Sequence, residues 1–220
     1  MAKIESGSLS ARIYSELRRA LIAGDYSPGE RLKMQDLAVE LGTSVTPVRE
    51  ACLRLVSEQA LELRSGRFIV VPELTRARYW QIRQIRIALE CLATREGAAN
   101  CSAEDISRLK SLHDKFVQHE AKGHQVKARH ANQQFHFALY GLCGMPLLMG
   151  QIEAMWASMG PILNVFYLTR DHEYVGAYEH LAIMDALANR DGLAAAAALE
   201  RDIVAGGLDI LRHFDRQDSV

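Results

Sequence analysis

The chain has 220 residues, 49% of them hydrophobic and 24% charged, with 26 Lys/Arg against 27 Asp/Glu for a formal net charge of -1. That composition supports a buried core and a globular chain of two modest domains or one larger one. It excludes a globally basic protein, so any surface for nucleic acid must be local.

No apolar run approaches the roughly 18 residues of a membrane span, and the N-terminus lacks an apolar signal core. Cys52, Cys91, Cys101 and Cys143 are scattered without C-x-x-C spacing, which reads as small core thiols in a reducing compartment. A cytoplasmic location is the expectation.

Along the chain, Ile13, Leu17, Ala20 and Leu21 recur at helical spacing and predict an amphipathic helix ending near Gly24. After the break "GDYSPGE", a second short helix is predicted over Met34–Leu41, closed by Gly42. A third begins near Thr46-Pro47, where proline suits the first turn because its missing N–H has no partner there. Two short β-prone runs flank Ser65-Gly66 and predict a hairpin. Helices followed by a hairpin give a winged helix-turn-helix over residues 1–72.

From residue 73 onward only helical periods appear, at about 75–98, 103–121, 124–141, 145–167, 173–190 and 192–214. The breaks carry punctuation: Thr75 as a cap, "NCSAED" with Ser102 as a cap, Gly123, "GLCGMP" and "NRDG". The fold class is therefore mainly α: a winged helix-turn-helix with a β-hairpin wing, then an all-helical bundle over 73–220.

In a helix-turn-helix the second helix enters the major groove and its first residues face base edges. Ser44, Thr46 and Arg49 occupy that leading turn. Arg49 can reach guanine O6 and N7 with two hydrogen bonds, and the hydroxyls suit phosphate contacts. Val48, Ala51, Cys52 and Leu55 then face inward. The alternative is a capped surface helix with Arg49 paired to a carboxylate.

In the bundle, Asn132 and His136 are four residues apart in "NQQFHFAL" and share a helical face. His180 and Asp202 lie on two later helices, where inward side chains complete a site in a bundle. A buried polar network is the alternative. His113, His119, His124, His130, His172 and His213 show no combination that points to a function.

The stretch "SPGERLKMQDLAVELGTSVTPVREACLRLVSEQALE" closely resembles the reader domain of GntR-family bacterial transcription regulators, whose pattern runs P-G-x-x-L, then L-A-x-x-L-G-V-S-R-T-P-V-R-E-A-L-x-x-L. Pro28, Gly29, Leu32, Leu37, Ala38, Leu41, Gly42, Ser44, Thr46, Pro47, Val48, Arg49, Glu50, Ala51 and Leu55 carry it. Val45 departs from the family's arginine. The resemblance implies that Ser44, Thr46 and Arg49 contact DNA, with Lys33 and Arg54 at the backbone and Arg67 at the wing tip near the minor groove.

"YWQIRQIRIALECLATREGA", "NQQFHFALYGLCGMPLL" and "EHLAIMDALANRDGLAAAAALERDI" resemble segments of the FCD effector domain of the FadR subfamily. Metal-binding members hold their ion with an aspartate or asparagine, a histidine four residues later, a second histidine in the penultimate helix and a third in the last. Asn132, His136 and His180 fill the first three places. The fourth falls at Asp202, a departure from the usual histidine. Imidazole and carboxylate together suit Zn, Ni, Mn or Fe.

The resemblance further implies a homodimer on a palindromic operator, repression relieved by a small metabolite, and a metabolite carboxylate on the metal's open positions. Arg86 matches an arginine that can face the cavity and suits a second carboxylate. An intrahelical pair of Arg86 with Glu90 is the alternative. Tyr140, Trp156 and Tyr167 are further candidates to line a pocket. A regulator of the same class without metal stays open, as does a metal-dependent enzyme fused to the reader. The sequence carries no H-E-x-x-H or comparable signature for such an enzyme, and a non-enzyme is expected.

Overall fold

A computed structural model describes residues 9–65, 68–73, 75–169 and 177–217. Contacts divide the chain into two compact units, Met1–Leu74 with Glu153–Asn164, and Thr75–Ile152 with Val165–Val220.

The first unit orders as α1 (Leu9–Ala23), β1 (Arg31–Leu32), α2 (Met34–Glu40), α3 (Val45–Ser57), β2 (Glu62–Arg64) and β3 (Phe68–Val70). Its core is the meeting of two apolar stripes, Ile13, Tyr14, Leu17 and Leu21 of α1 against Val48, Ala51, Cys52 and Leu55 of α3, closed by Ile69 and Val71. Each such aliphatic side chain taken from water contributes about 1.5–3 kcal/mol.

The turn between α2 and α3 depends on Gly42, whose φ is +63°. There the Thr43 N–H donates to the Ala38 carbonyl and the Gly42 N–H to that of Val39, which closes α2 and releases the chain into α3.

The hairpin β2–β3 forms as its sequence predicts, but a further strand joins it. The sheet is antiparallel in the order β1-β3-β2. Arg31 and Leu32 pair with Val70 and Ile69, and backbone bonds from Gly29 N–H to Val71 and from Val71 N–H to Glu30 hold that edge. A strand this short leaves no alternation in a sequence, so only the fold shows it.

The second unit contains α4 (Arg76–Gly97), α5 (Ala103–Ala121), α6 (Gln125–Gly141), the ends of α7 (Pro146–Thr169), α8 (Ala177–Ala188), α9 (Gly192–Gly206) and α10 (Leu208–Gln217). Helix α4 packs on α6 and α9, α5 on α6 and α8, and α8 on α9. Thr75 caps α4 by accepting from the Arg78 N–H. Ser102 and Asp105 form a reciprocal capping box on α5.

Two features differ from the sequence reading. The segment expected at 192–214 is two helices, because α9 ends at Gly206 and a Cβ on Gly207 would lie 1.8 Å from the Tyr79 hydroxyl. The expected division at residue 72 also omits the middle of α7, which by its contacts belongs to the first unit. There Arg18 pairs with Glu153 at 3.0 Å, Ser158 donates to the Gln59 carbonyl, and Gly160 lies on the backbone of Leu21 and Ile22. Among the described residues no helix is long and apolar enough to cross a membrane.

Candidate nucleic-acid interface and candidate metal site

Ser44 stands at the N-cap of α3 in an extended conformation, φ -85° and ψ 164°, and its side chain makes no capping bond. Its hydroxyl is exposed, as are Thr46 and Arg49. The start of α3 thus offers hydroxyls, backbone N–H groups and a guanidinium to whatever lies in front of it. Backbone donors at a helix start, reinforced by the helix dipole, favour an anion.

Arg49 also lines a groove of about 220 Å³ with Arg31, Lys33, Gln35, Met34, Val45 and Phe68 among its walls. Arg31 lies over Phe68, its guanidinium carbon 3.5 Å from the ring centroid. Lys33 pairs with Asp36 at 3.5 Å, but both side chains are exposed and such a pair is worth little. Arg31, Lys33 and Arg49 therefore place three cations around one groove. The sequence reading did not name Arg31, because its place depends on β1.

Arg54 has a different setting from the one expected. Five residues beyond Arg49, it is turned about 140° around the helix. Its guanidinium lies 3.7 Å from the Tyr14 ring centroid and 3.5 Å from Glu58. The Tyr14 hydroxyl donates to both Glu58 carboxylate oxygens, at 2.7 and 2.8 Å. Burial, with the Glu58 contact, pushes Tyr14 up to about 12. Arg54 belongs to that α1–α3 cluster, on a different face of α3 from Arg49, while its side chain stays 57% exposed. Arg67 lies outside the described residues.

In the second unit, α6, α8 and α9 bring together His136, His180 and Asp202, and one ligand atom from each lies within 4.8 Å of the others. All are buried, with 2%, 0% and 2% of their surface exposed. His136 Nε2 is 3.3 Å from Asp202 Oδ2 and His180 Nε2 is 4.0 Å from Asp202 Oδ1. Asn132, one turn before His136 on α6, is also buried. Its Oδ1, like His180 Nε2, has no hydrogen-bond partner although it is sealed from water.

The ring of His180 is clamped, stacked on Phe135 at 3.9 Å between centroids and edge-on to His136. Burial pushes its pKa down to about 3, against a smaller opposing pull from Asp202. It is neutral at physiological pH.

The donor set passes a chemical test for a divalent transition metal. Oxygen and imidazole atoms meet where no described donor satisfies Asn132 Oδ1 or His180 Nε2. Two ligands of one ion, each about 2.1 Å from it, lie roughly 3.0–3.4 Å apart, and the His136–Asp202 spacing of 3.3 Å falls in that range.

Two neighbours complete the setting: His113, to which the sequence assigned no function, and Tyr140, which it offered only as a candidate to line a pocket. His113 on α5 lies with its Nδ1 3.3 Å from His180 Nδ1, and burial lowers its pKa too. With the proton of this contact on His180 Nδ1 and donated to His113, His180 Nε2 is left bare for the site, the usual way a second residue orients a ligating imidazole. Tyr140 donates its hydroxyl to Glu90 at 2.5 Å and lies 3.1 Å from His136 Nδ1. Burial and the Glu90 charge hold that phenol well above its ordinary range.

Arg86 occupies the alternative place: its Nε donates to Glu90 Oε1 at 2.7 Å and its Nη2 to Oε2 at 3.2 Å. Burial alone would lower its pKa, and Glu90's charge and hydrogen bonds more than reverse this. That engagement occupies the Nε/Nη2 edge of the guanidinium. Tyr140 is wholly buried in this chain of contacts. Trp156 falls in the first unit by its contacts, and the side chain of Tyr167 lies outside the described residues.

Residues 9–71 match the bacterial regulatory proteins of the gntR family, and residues 81–205 match the FCD domain. The chain is a GntR-family transcription regulator with an FCD domain. It is 36% identical over 165 residues to the HTH-type transcriptional regulator McbR of Escherichia coli, covering 75% of each chain. It is 27% identical over 199 residues to the HTH-type transcriptional repressor RspR of the same species, covering 89% of this chain and 86% of that one.

The fold of McbR/YncC superposes with a TM-score of 0.83 at 30% identity, over 96% of this chain and 99% of the other. A GntR regulator from Rhodococcus sp. RHA1 gives 0.72 at 25% identity, over 93% and 98%. These relatives are named as transcription regulators, and the chain, by its own GntR and FCD matches, is a DNA-binding transcription regulator of this family.

Proposed function

We propose that this regulator acts in the cytoplasm as a homodimer of the FadR subfamily, repressing transcription from a palindromic operator until a small carboxylate metabolite binds its FCD domain. Ser44, Thr46 and Arg49 meet the major groove, with Arg49 reading a base edge. Arg31 and Lys33 hold phosphates beside them. The exposed polar start of α3, with its uncommitted Ser44 hydroxyl, supports this part of the reading.

Asn132, His136, His180 and Asp202 would hold a divalent transition metal, Zn, Ni, Mn or Fe. The observation that carries this is the pair of sealed acceptors without a partner, Asn132 Oδ1 and His180 Nε2, beside a carboxylate. The ion would supply open coordination positions for a metabolite's carboxylate.

The competing reading keeps the regulator and removes the metal, with Asn132, His136, His180 and Asp202 as a buried polar network; the direct approach of His136 Nε2 to Asp202 at 3.3 Å is the observation for it. Elemental analysis of protein purified without chelator separates the two. One metal per chain, absent from a His136→Ala, His180→Ala double variant, is expected. Equal, negligible metal in both proteins leaves the metal-free regulator.

A further inference from the structure

Beyond the ligands themselves, a line of buried polar groups runs into the site from α4. Arg86 donates to both oxygens of Glu90, at 2.7 and 3.2 Å. Glu90 is wholly buried and accepts the Tyr140 hydroxyl at 2.5 Å. Tyr140 is 3.1 Å from His136 Nδ1, and His136 Nε2 faces Asp202 at 3.3 Å.

From Arg86 to His136 Nδ1, the direction of each bond is fixed by proton counting. A guanidinium only donates and a carboxylate only accepts. A phenol has one proton, and Tyr140 gives it to Glu90 in the shortest contact of the series. Toward His136 the phenol oxygen then has only lone pairs. The bond at 3.1 Å therefore requires the proton on His136 Nδ1. In the neutral ring that leaves Nε2 bare, and Nε2 is the atom aimed at Asp202.

We infer that Tyr140, oriented by Glu90 and Arg86, is a positioning residue that fixes the His136 tautomer and so sets the affinity of the site for a divalent cation. The inference deepens the metal reading and rests on it. The line begins on a permanently charged group, so its polarity does not reverse when the site changes. It also accounts for Arg86: the arginine serves the site through Glu90, at one remove.

The test uses the full chain labelled with ¹⁵N-histidine. In the metal-free wild type, long-range ¹H–¹⁵N spectra should show His136 carrying a proton on Nδ1 and none on Nε2. An unprotonated Nδ1 overturns the inference without recourse to any variant.

Zn²⁺ affinity is then measured by chelator competition. Tyr140→Phe keeps the ring and the Arg86–Glu90 pair but removes the acceptor, and should weaken Zn²⁺ binding about 10–100-fold. Glu90→Gln supplies an amide that can donate to Tyr140, freeing the phenol proton for His136 Nδ1 and moving the ring proton to Nε2. It should weaken Zn²⁺ at least as much. Affinities within about twofold of wild type in both folded variants overturn the proposal. A wild type that binds no Zn²⁺ while keeping the Nδ1 proton contradicts the metal reading alone and leaves the tautomer assignment standing.

Discussion

The two units place their polar chemistry in opposite ways. In the first, the side chains proposed to meet DNA stand in solvent, on a scaffold whose interior is apolar. In the second, Glu90, His113, Asn132, His136, His180 and Asp202 are themselves interior groups. The exposed set can be changed at little cost to folding, because water already satisfies it. The buried set is coupled to stability, because each group must find a partner inside. Function and folding are thus separable in the reader unit and joined in the effector unit.

The largest effect expected from this difference follows removal of the metal. With free metal 1,000-fold above its dissociation constant, binding stabilises the folded state by about 4 kcal/mol. Chelation should lower the thermal midpoint of the effector unit's unfolding by several degrees. No change on adding chelator would break the proposed coupling.

Acid should come next. In the metal-free protein His180 titrates near 3 because it is buried, whereas the unfolded chain takes up that proton near 6.5. Between those values the unfolded state binds more protons, so stability is intact above about pH 6.5 and falls as pH drops toward 3. The slope reaches about 1.4 kcal/mol per pH unit for this group. Denaturant melts from pH 8 to 4 check it, and a flat profile below pH 6 counts against a neutral buried imidazole.

Glycines of α7 sharpen the comparison within one helix. A Cβ on Gly160 would lie 2.0 Å from the Leu21 carbonyl oxygen, whereas Gly150 has nothing within 4 Å. Gly160→Ala should destabilise by about 1–3 kcal/mol or more through overpacking. Gly150→Ala should stabilise by about 0.5–1 kcal/mol through helix propensity. Same-sign shifts in urea midpoints would contradict the assignment of residues 153–164 to the first unit.

On the exposed side, Arg49→Ala should cost about 1–3 kcal/mol of operator affinity and relax base preference at one position. Lys33→Ala should weaken binding evenly across sequences and reduce the salt slope by about 1. Neither should move the unfolding midpoint appreciably. Binding isotherms at several salt concentrations distinguish them.

Much of the reader unit was legible in the sequence because its signals are local. The apolar stripe of α3, the proline in its first turn and Gly42 before it lie within fourteen consecutive positions, 42–55. The edge strand β1 was not legible, since two residues carry no period, and with it Arg31 escaped notice. Arg54 read as a charge for the DNA backbone because sequence shows charge but not that Tyr14 lies beneath it.

In the effector unit, helical spacing put Asn132 and His136 on one face, and the resemblance added His180 and Asp202. The contacts around them escaped because they join distant positions: His113 meets His180 across 67 residues, and Glu90 meets Tyr140 across 50. A pattern of period 3.6 shows which face is inward, but not which inward polar groups converge.

The most direct measurement is anomalous diffraction from crystals of freshly purified protein, collected on either side of the absorption edge of the metal found by X-ray fluorescence. The account predicts one peak per chain, about 2.1 Å from His136 Nε2, His180 Nε2 and an Asp202 oxygen. Featureless anomalous maps, with His136 and Asp202 in direct hydrogen-bond contact, would contradict it.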